Sequence, residues 1–191
     1  GDGSALTSLT SNNLTGALPA IDGSALTGIS AGGLKFISSV DISNDSTVEF
    51  TGFDSALYDS YEFVLGNVRP TNGQAIVVRV SSNGGTSYDS GASDYQLLSG
   101  YYSFGYLTSA VGSGTGRDGA CGGMHMPTPH PARSTHMCGS GIGYRESGGN
   151  MVTSTYTTRR VAQTAVDAIQ FLASSGSLLT GTITMYGKVN S

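Results

Sequence analysis

The stretch "AIVVRVS" (Ala75–Ser81) decides the fold class of this chain. Its alternate positions form two sets, with Ile76, Val78 and Val80 on one side and Val77, Arg79 and Ser81 on the other. A period of two residues is typical of an antiparallel strand with one face buried. We therefore expect a strand here, inside a β domain.

Similar runs follow one another along most of the chain, separated by turn sequences such as "SND", "TNG" and "SNGG". They include "KFISSVDIS" (Lys35–Ser43), "STVEFTGF" (Ser46–Phe53), "SYEFVLGNVRP" (Ser60–Pro70), "SDYQLLSGYYSFGYL" (Ser93–Leu107) and "GTITMYGKV" (Gly181–Val189). Roughly eight strands with short turns predict an all-β fold, an antiparallel β-sandwich of jelly-roll type. The helical alternative is Val161–Ala173, where flanking β-branched residues favour a strand.

The first 33 residues have a different pattern, because "DGSALT" occurs at Asp2–Thr7 and again at Asp22–Thr27. The segment has no helical period and cannot bury enough apolar surface alone. It is either a flexible linker or a repeat whose leucines pack against identical chains around a common axis. The regular spacing favours packing. The candidate axis residues are Leu6, Leu14, Leu18 and Leu26. Since the chain begins inside a copy of the repeat, we expect more repeat upstream.

Charge and hydropathy exclude two kinds of partner. The net charge is −4 and charged residues make up 12% of the chain, so no basic patch is available to bind nucleic acid. No apolar run is long enough for membrane insertion. A surface that is polar through hydroxyl and amide groups suits an extracellular or virion-exposed protein.

Sulfur and imidazole groups are concentrated in residues 112–149, which we expect to be an exposed loop inserted into the β domain. Cys121 and Cys138 are candidates for a disulfide that closes this loop. Alternatively, a tetrahedral metal site could take its ligands from Cys121, His125, His136 and Cys138. Two further alternatives are free thiols beside solvated histidines, and, in a trimer, the same histidine from three chains meeting on the axis.

The sequence contains no recognisable catalytic motif, so we expect neither enzymatic activity nor a cofactor. A Cys–His nucleophile pair in the Gly- and Pro-rich segment would lack a rigid platform. Tyrosines among Ser and Gly residues suit an adaptable recognition surface. The candidate receptor contacts are Tyr88, Tyr144, His125, His130, His136 and Arg133.

Two parts of the sequence resemble virion fibres. "NLTGALPAIDGSALTGIS" (Asn13–Ser30) looks like the shaft repeats of bacteriophage tail fibres. "STVEFTGFDSALYDSYEFVLGNVRP" (Ser46–Pro70), "VRVSSNGGTSYDSGASDY" (Val78–Tyr95) and "GTITMYG" (Gly181–Gly187) are similar to the C-terminal β-sandwich that follows such shafts. Residues 112–149 lie outside the resemblance.

The resemblance implies a homotrimeric fibre of the phage virion, with a shaft at residues 1–33 and a head at residues 34–191. The head would bind a host cell-surface glycan or protein during adsorption, and other virion proteins would hold the shaft. The alternatives are a capsid-attached head fibre or decoration protein, and a tail spike that degrades polysaccharide.

Overall fold

The computed structural model describes residues 33–97, 100–102, 105–106, 108, 111, 119–127, 129–130, 132–144 and 151–189. Of these, the side chains of Asn72, Tyr101, Tyr106, Tyr144 and Val152 are not described. The predicted repeat and its axis leucines Leu6, Leu14, Leu18 and Leu26 lie outside the described residues. The described residues belong to the β domain, which begins after residue 31.

The β domain contains two antiparallel sheets. The larger sheet has, in spatial order, β1 (Leu34–Asp45), β12 (Leu178–Val189), β3 (Tyr58–Pro70), β8 (Ala120–Pro127), β9 (His136–Tyr144), β10 (Met151–Arg160), β5 (Tyr95–Leu97) and β6 (Gly100–Tyr102). The smaller sheet has β2 (Thr47–Thr51), β11 (Ala168–Ala173), β4 (Ile76–Ser81) and β7 (Gly105–Tyr106). The predicted all-β, antiparallel character is confirmed.

The strand count differs from the prediction, since twelve described strands exceed the eight of a jelly roll. Two of the additional strands come from the segment predicted to be a loop. In the parts of the chain that the structure describes, the only helical element is a 3-10 turn at Thr71–Gly73. The alternative helix at Val161–Ala173 is a turn that leads into β11, and none of the described residues forms a helix able to cross a membrane.

Aromatic side chains pack between the two sheets. The ring of Phe63 on β3 lies 5.6 Å from that of Phe50 on β2 and 5.2 Å from that of Phe171 on β11. All three rings are buried. Because β3 belongs to the larger sheet and the other two strands to the smaller one, these contacts hold the sheets face to face.

The strand β4 is buried more completely than its sequence predicts. Ile76, Val78 and Val80 are buried as expected, but Val77 and Ser81 on the opposite face are also fully buried. Ser81 is covered by the turn that follows, because its hydroxyl accepts hydrogen bonds from the amides of Asn83 and Gly85. The prediction of one buried face is therefore wrong for this strand.

The expectation of an exposed loop is wrong for the described part of residues 112–149. The strands β8 and β9 pair with each other and lie between β3 and β10, in the interior of the larger sheet. Met124, Met126 and Met137 alternate with polar residues and are buried in the core. This period of two is hard to recognise in the sequence, because the glycines of β8 and β9 contribute neither an apolar nor a polar side chain to the pattern.

Close approach of β8 to β9 requires glycine at position 122. A Cβ atom on Gly122 would lie 2.1 Å from the carbonyl oxygen of Ser140, whereas a Cβ on Gly123 would meet nothing nearer than 3.5 Å. We expect Gly122→Ala to lower the free energy of unfolding by about 1–3 kcal/mol, because two backbones must separate. Gly123→Ala is the matched control and should stay within about 0.5 kcal/mol of the parent. Urea unfolding would measure both, and equal values for the two variants would contradict this account of the strand pair.

Candidate functional site

The face of the larger sheet that points away from the core forms one broad surface, which we call the outer face. Its position follows from the strand register, since residues opposite each other in antiparallel strands point to the same side. Across the middle of the sheet, Thr184, Val64, Gly123, Ser140 and Thr155 form one continuous row. This row is thus built from three hydroxyl-bearing residues, a glycine and a valine.

A few apolar side chains interrupt this polar surface. Val64 and Ile142 are 49% and 47% exposed, although both lie within the central strands. Ile142 is flanked by Cys121 on β8 and Thr153 on β10. Exposed apolar groups surrounded by hydroxyls provide both contact area and hydrogen bonding to a bound molecule.

Two depressions mark the outer face. The glycine depression has a volume of about 420 Å³ and is lined by Cys121, Gly122, Ser140, Gly141, Ile142, Thr153, Ser154 and Thr155. The arginine depression has a volume of about 510 Å³ and is lined by Gln96, Leu97, Thr157 and Arg159. Both lie along β10, whose residues Thr153, Thr155, Thr157 and Arg159 alternate with inward-facing ones. Their size is within the usual range for a site that binds a small ligand.

His125 lies at the centre of the outer face and is held by Glu62. Its Nδ1 is 2.5 Å from Oε1 of Glu62 on the neighbouring strand. On the other side of β8, Cys138 of β9 is directly opposite His125. The rigid platform that the sequence did not reveal therefore exists. However, the structure contains no hydrogen bond between the Cys138 thiol and the His125 imidazole, and such a bond is what links a nucleophile to its base.

The predicted disulfide is wrong for a single chain, because Cys121 and Cys138 are both free. Cys121 lies opposite Ile142, and Cys138 lies opposite His125. The two cysteines are thus four positions apart along the strand pair, about 13 Å, which exceeds the Cα separation that a disulfide spans. The Cys121 thiol instead lies 2.8 Å from Oδ1 of Asn67.

The four candidate metal ligands share the outer face but do not converge. Cys121 is separated from His125 by the same four positions, and no three His, Cys, Asp or Glu side chains in the described residues come together as a metal site would require. His136 lies two residues before Cys138 on β9 and opposite Arg159 on β10. The tetrahedral site predicted as an alternative is therefore not formed.

His130 packs into the domain and does not project as a contact residue. Its Nε2 donates a hydrogen bond of 3.1 Å to the carbonyl oxygen of Tyr58, and its ring meets the edge of Tyr61. Burial lowers the pKa of His130 from its ordinary value. This candidate is better explained as a packing residue that is neutral at physiological pH.

The remaining candidate contacts are placed less favourably than His125 and His136. The hydroxyl of Tyr88 is buried beside Gly85, and burial together with the nearby Glu49 carboxylate raises the pKa of Tyr88 to about 12. Arg133 is exposed in the turn between β8 and β9. Tyr144 ends β9, and its side chain lies outside the described residues.

Sequence reasoning missed Arg159, Gln96 and the threonines of β10. The sequence "TSTYTTR" (Thr153–Arg159) did not show which side faces solvent, because the buried Ser154 and Thr158 are as polar as their outward neighbours. Comparisons of the chain with protein-family models, curated proteins and solved structures found no match. What the outer face binds is therefore inferred from the chemistry of its own side chains and depressions.

Proposed function

We propose that this chain is a structural fibre protein of a phage virion that binds the host cell surface during adsorption. The repeat at residues 1–33 associates three chains around one axis and connects them to other virion proteins. The β domain makes the contact with the host, through a cell-surface glycan or protein. This is a binding function and requires no catalysis.

The observation that carries the proposal is the outer face of the larger sheet. It offers hydroxyl groups from Ser140, Thr155 and Thr157, exposed apolar contact at Val64 and Ile142, and two depressions of ligand size. Recognition surfaces commonly combine such small hydrogen-bonding residues with apolar contact area. Placing them on paired strands fixes their geometry more rigidly than a loop would.

Blocking the glycine depression tests this proposal. Thr155 is exposed and lines that depression, so Thr155→Trp should fill it without disturbing the core. Thr86→Trp is the matched control, because Thr86 is also exposed but lies in the turn after β4. Fluorescently labelled protein would be incubated with a panel of bacterial strains and counted by flow cytometry. For the strain that retains most parent protein, we expect Thr155→Trp to reduce retention by about tenfold or more.

Thr86→Trp should bind that strain as the parent does. Equal retention of the two tryptophan variants would contradict the placement of binding on the outer face. Thermal unfolding of both variants would show that any loss is not due to misfolding.

A further inference from the structure

Arg159 and Arg160 are neighbours in the chain, yet their guanidinium groups have opposite environments. Arg160 faces the core, where its Nε lies 2.5 Å from Oδ2 of Asp89 and its Nη1 donates to the carbonyl and hydroxyl oxygens of Thr164. Arg159 faces outward and lines the arginine depression. Its Nε is buried, and no acceptor among the described residues bonds to it. Of the two, only Arg159 has a positive charge with no carboxylate partner in the described part of the chain.

Two other hydrogen-bonding side chains stand beside Arg159 in the same row. His136 is opposite it on β9, and Gln96 is opposite it on β5. Residues directly opposite each other in antiparallel strands have side chains close enough to contact a common molecule. The row thus presents a guanidinium, an imidazole and an amide to one side of the sheet.

Two acidic residues in the described part of the larger sheet and its turns are already engaged elsewhere. Glu62, the acidic residue at the centre of the outer face, is paired with His125. Asp94, two residues before Gln96, accepts a hydrogen bond from the amide of Gly91 at 2.6 Å. The charge of Arg159 therefore remains available to an external anion, and guanidinium donors match the oxygens of a carboxylate in a two-point contact.

We propose that the arginine depression binds the carboxylate of an acidic saccharide, such as a uronic acid unit of a surface polysaccharide. Arg159 holds the carboxylate, while Gln96, Thr157 and His136 hydrogen-bond to the sugar. Leu97 gives the depression an apolar wall against which a sugar ring can lie. This inference rests on the proposed function and narrows its ligand class to anionic glycans.

Calorimetric titration of the full chain with digalacturonic acid tests the assignment. The dimethyl ester of the same disaccharide is the neutral ligand, and inorganic phosphate is the anion without a sugar. We expect the acid to bind, the ester to bind at least about tenfold more weakly, and phosphate to bind more weakly than the acid. Arg159→Gln should weaken binding of the acid by about tenfold or more.

Lys35→Gln is the matched control, since Lys35 is exposed on β1, far across the larger sheet from the depression, and it should bind the acid as the parent does. If Arg159→Gln does not fold, Gln96→Glu places a repelling carboxylate in the same row and should weaken binding similarly. The assignment is overturned if the parent does not bind the acid, if acid and ester bind equally, if phosphate binds as tightly as the acid, or if the folded variants bind normally. None of these results would alter the comparison of Thr155→Trp with Thr86→Trp, which tests the host-binding function separately.

Discussion

Replacing residues 119–139 with a short Gly-Ser turn should unfold the β domain. The replacement removes all of β8 and the first part of β9, which join β3 to β10 in the interior of the larger sheet. It also removes the buried side chains of Met124, Met126 and Met137. Loss of one buried methionine side chain typically costs about 2–5 kcal/mol, and a whole domain is stable by only about 5–15 kcal/mol. Circular dichroism and thermal unfolding would detect the loss.

A smaller replacement provides the control for that experiment. Ala132, Arg133 and Ser134 lie in the turn between the two strands, and the first two are exposed. Exchanging these three residues for Gly-Ser-Gly should leave a cooperative melting transition close to that of the parent. A cooperative, parent-like transition for the variant that lacks residues 119–139 would show that β8 and β9 are dispensable.

Arg160→Ala should have the largest effect of any single substitution proposed for this chain. The side chain is 2% exposed and joins three segments, because it pairs with Asp89 after β4 and bonds to Thr164 before β11 while its own backbone ends β10. Removing one partner of a buried ion pair leaves the other carboxylate without its counter-charge, which typically costs about 3–5 kcal/mol. Since Asp89 keeps some contact with solvent, we expect a loss near the lower limit, about 3 kcal/mol.

Urea unfolding of Arg160→Ala measures that loss directly, with Arg133→Ala as the matched control. Arg133 is exposed, so its replacement should change the free energy of unfolding by no more than about 0.5 kcal/mol. A loss below about 1 kcal/mol for Arg160→Ala would mean that water replaces the pair without cost, contrary to the burial of the guanidinium.

The fold class was predictable where side chains alternate in character. Ile76, Val78 and Val80 of β4 recur at every second position, as do Tyr61, Phe63 and Leu65 of β3, and both segments are strands. The strands β8 and β9 were not recognised, because five of their seventeen residues are glycines, which add neither an apolar nor a polar side chain to the pattern: Gly122, Gly123, Gly139, Gly141 and Gly143. Gly122 is required because the backbone of β9 approaches it closely. The strand propensity of a single residue gives no information about such a contact.

The candidate site was harder to predict than the fold, because it depends on register. Glu62, His125 and Cys138 are distant in sequence and become neighbours only when three strands align. The same applies to His136, Arg159 and Gln96. A cluster of Cys and His residues in the sequence suggested a disulfide or a metal site, but pairing of the strands spreads these residues along one surface.

The mass of the protein in solution tests the central claim, that this protein is one of the three chains of a trimeric fibre. The apolar residues of the repeat have no predicted partners within their own segment, so they should pack against the same residues of two other chains. Static light scattering of the full chain at micromolar concentration should give three times the mass of one chain, and a chain that begins at Gly33 should lose that association. A full-length protein that scatters as a monomer would contradict the account.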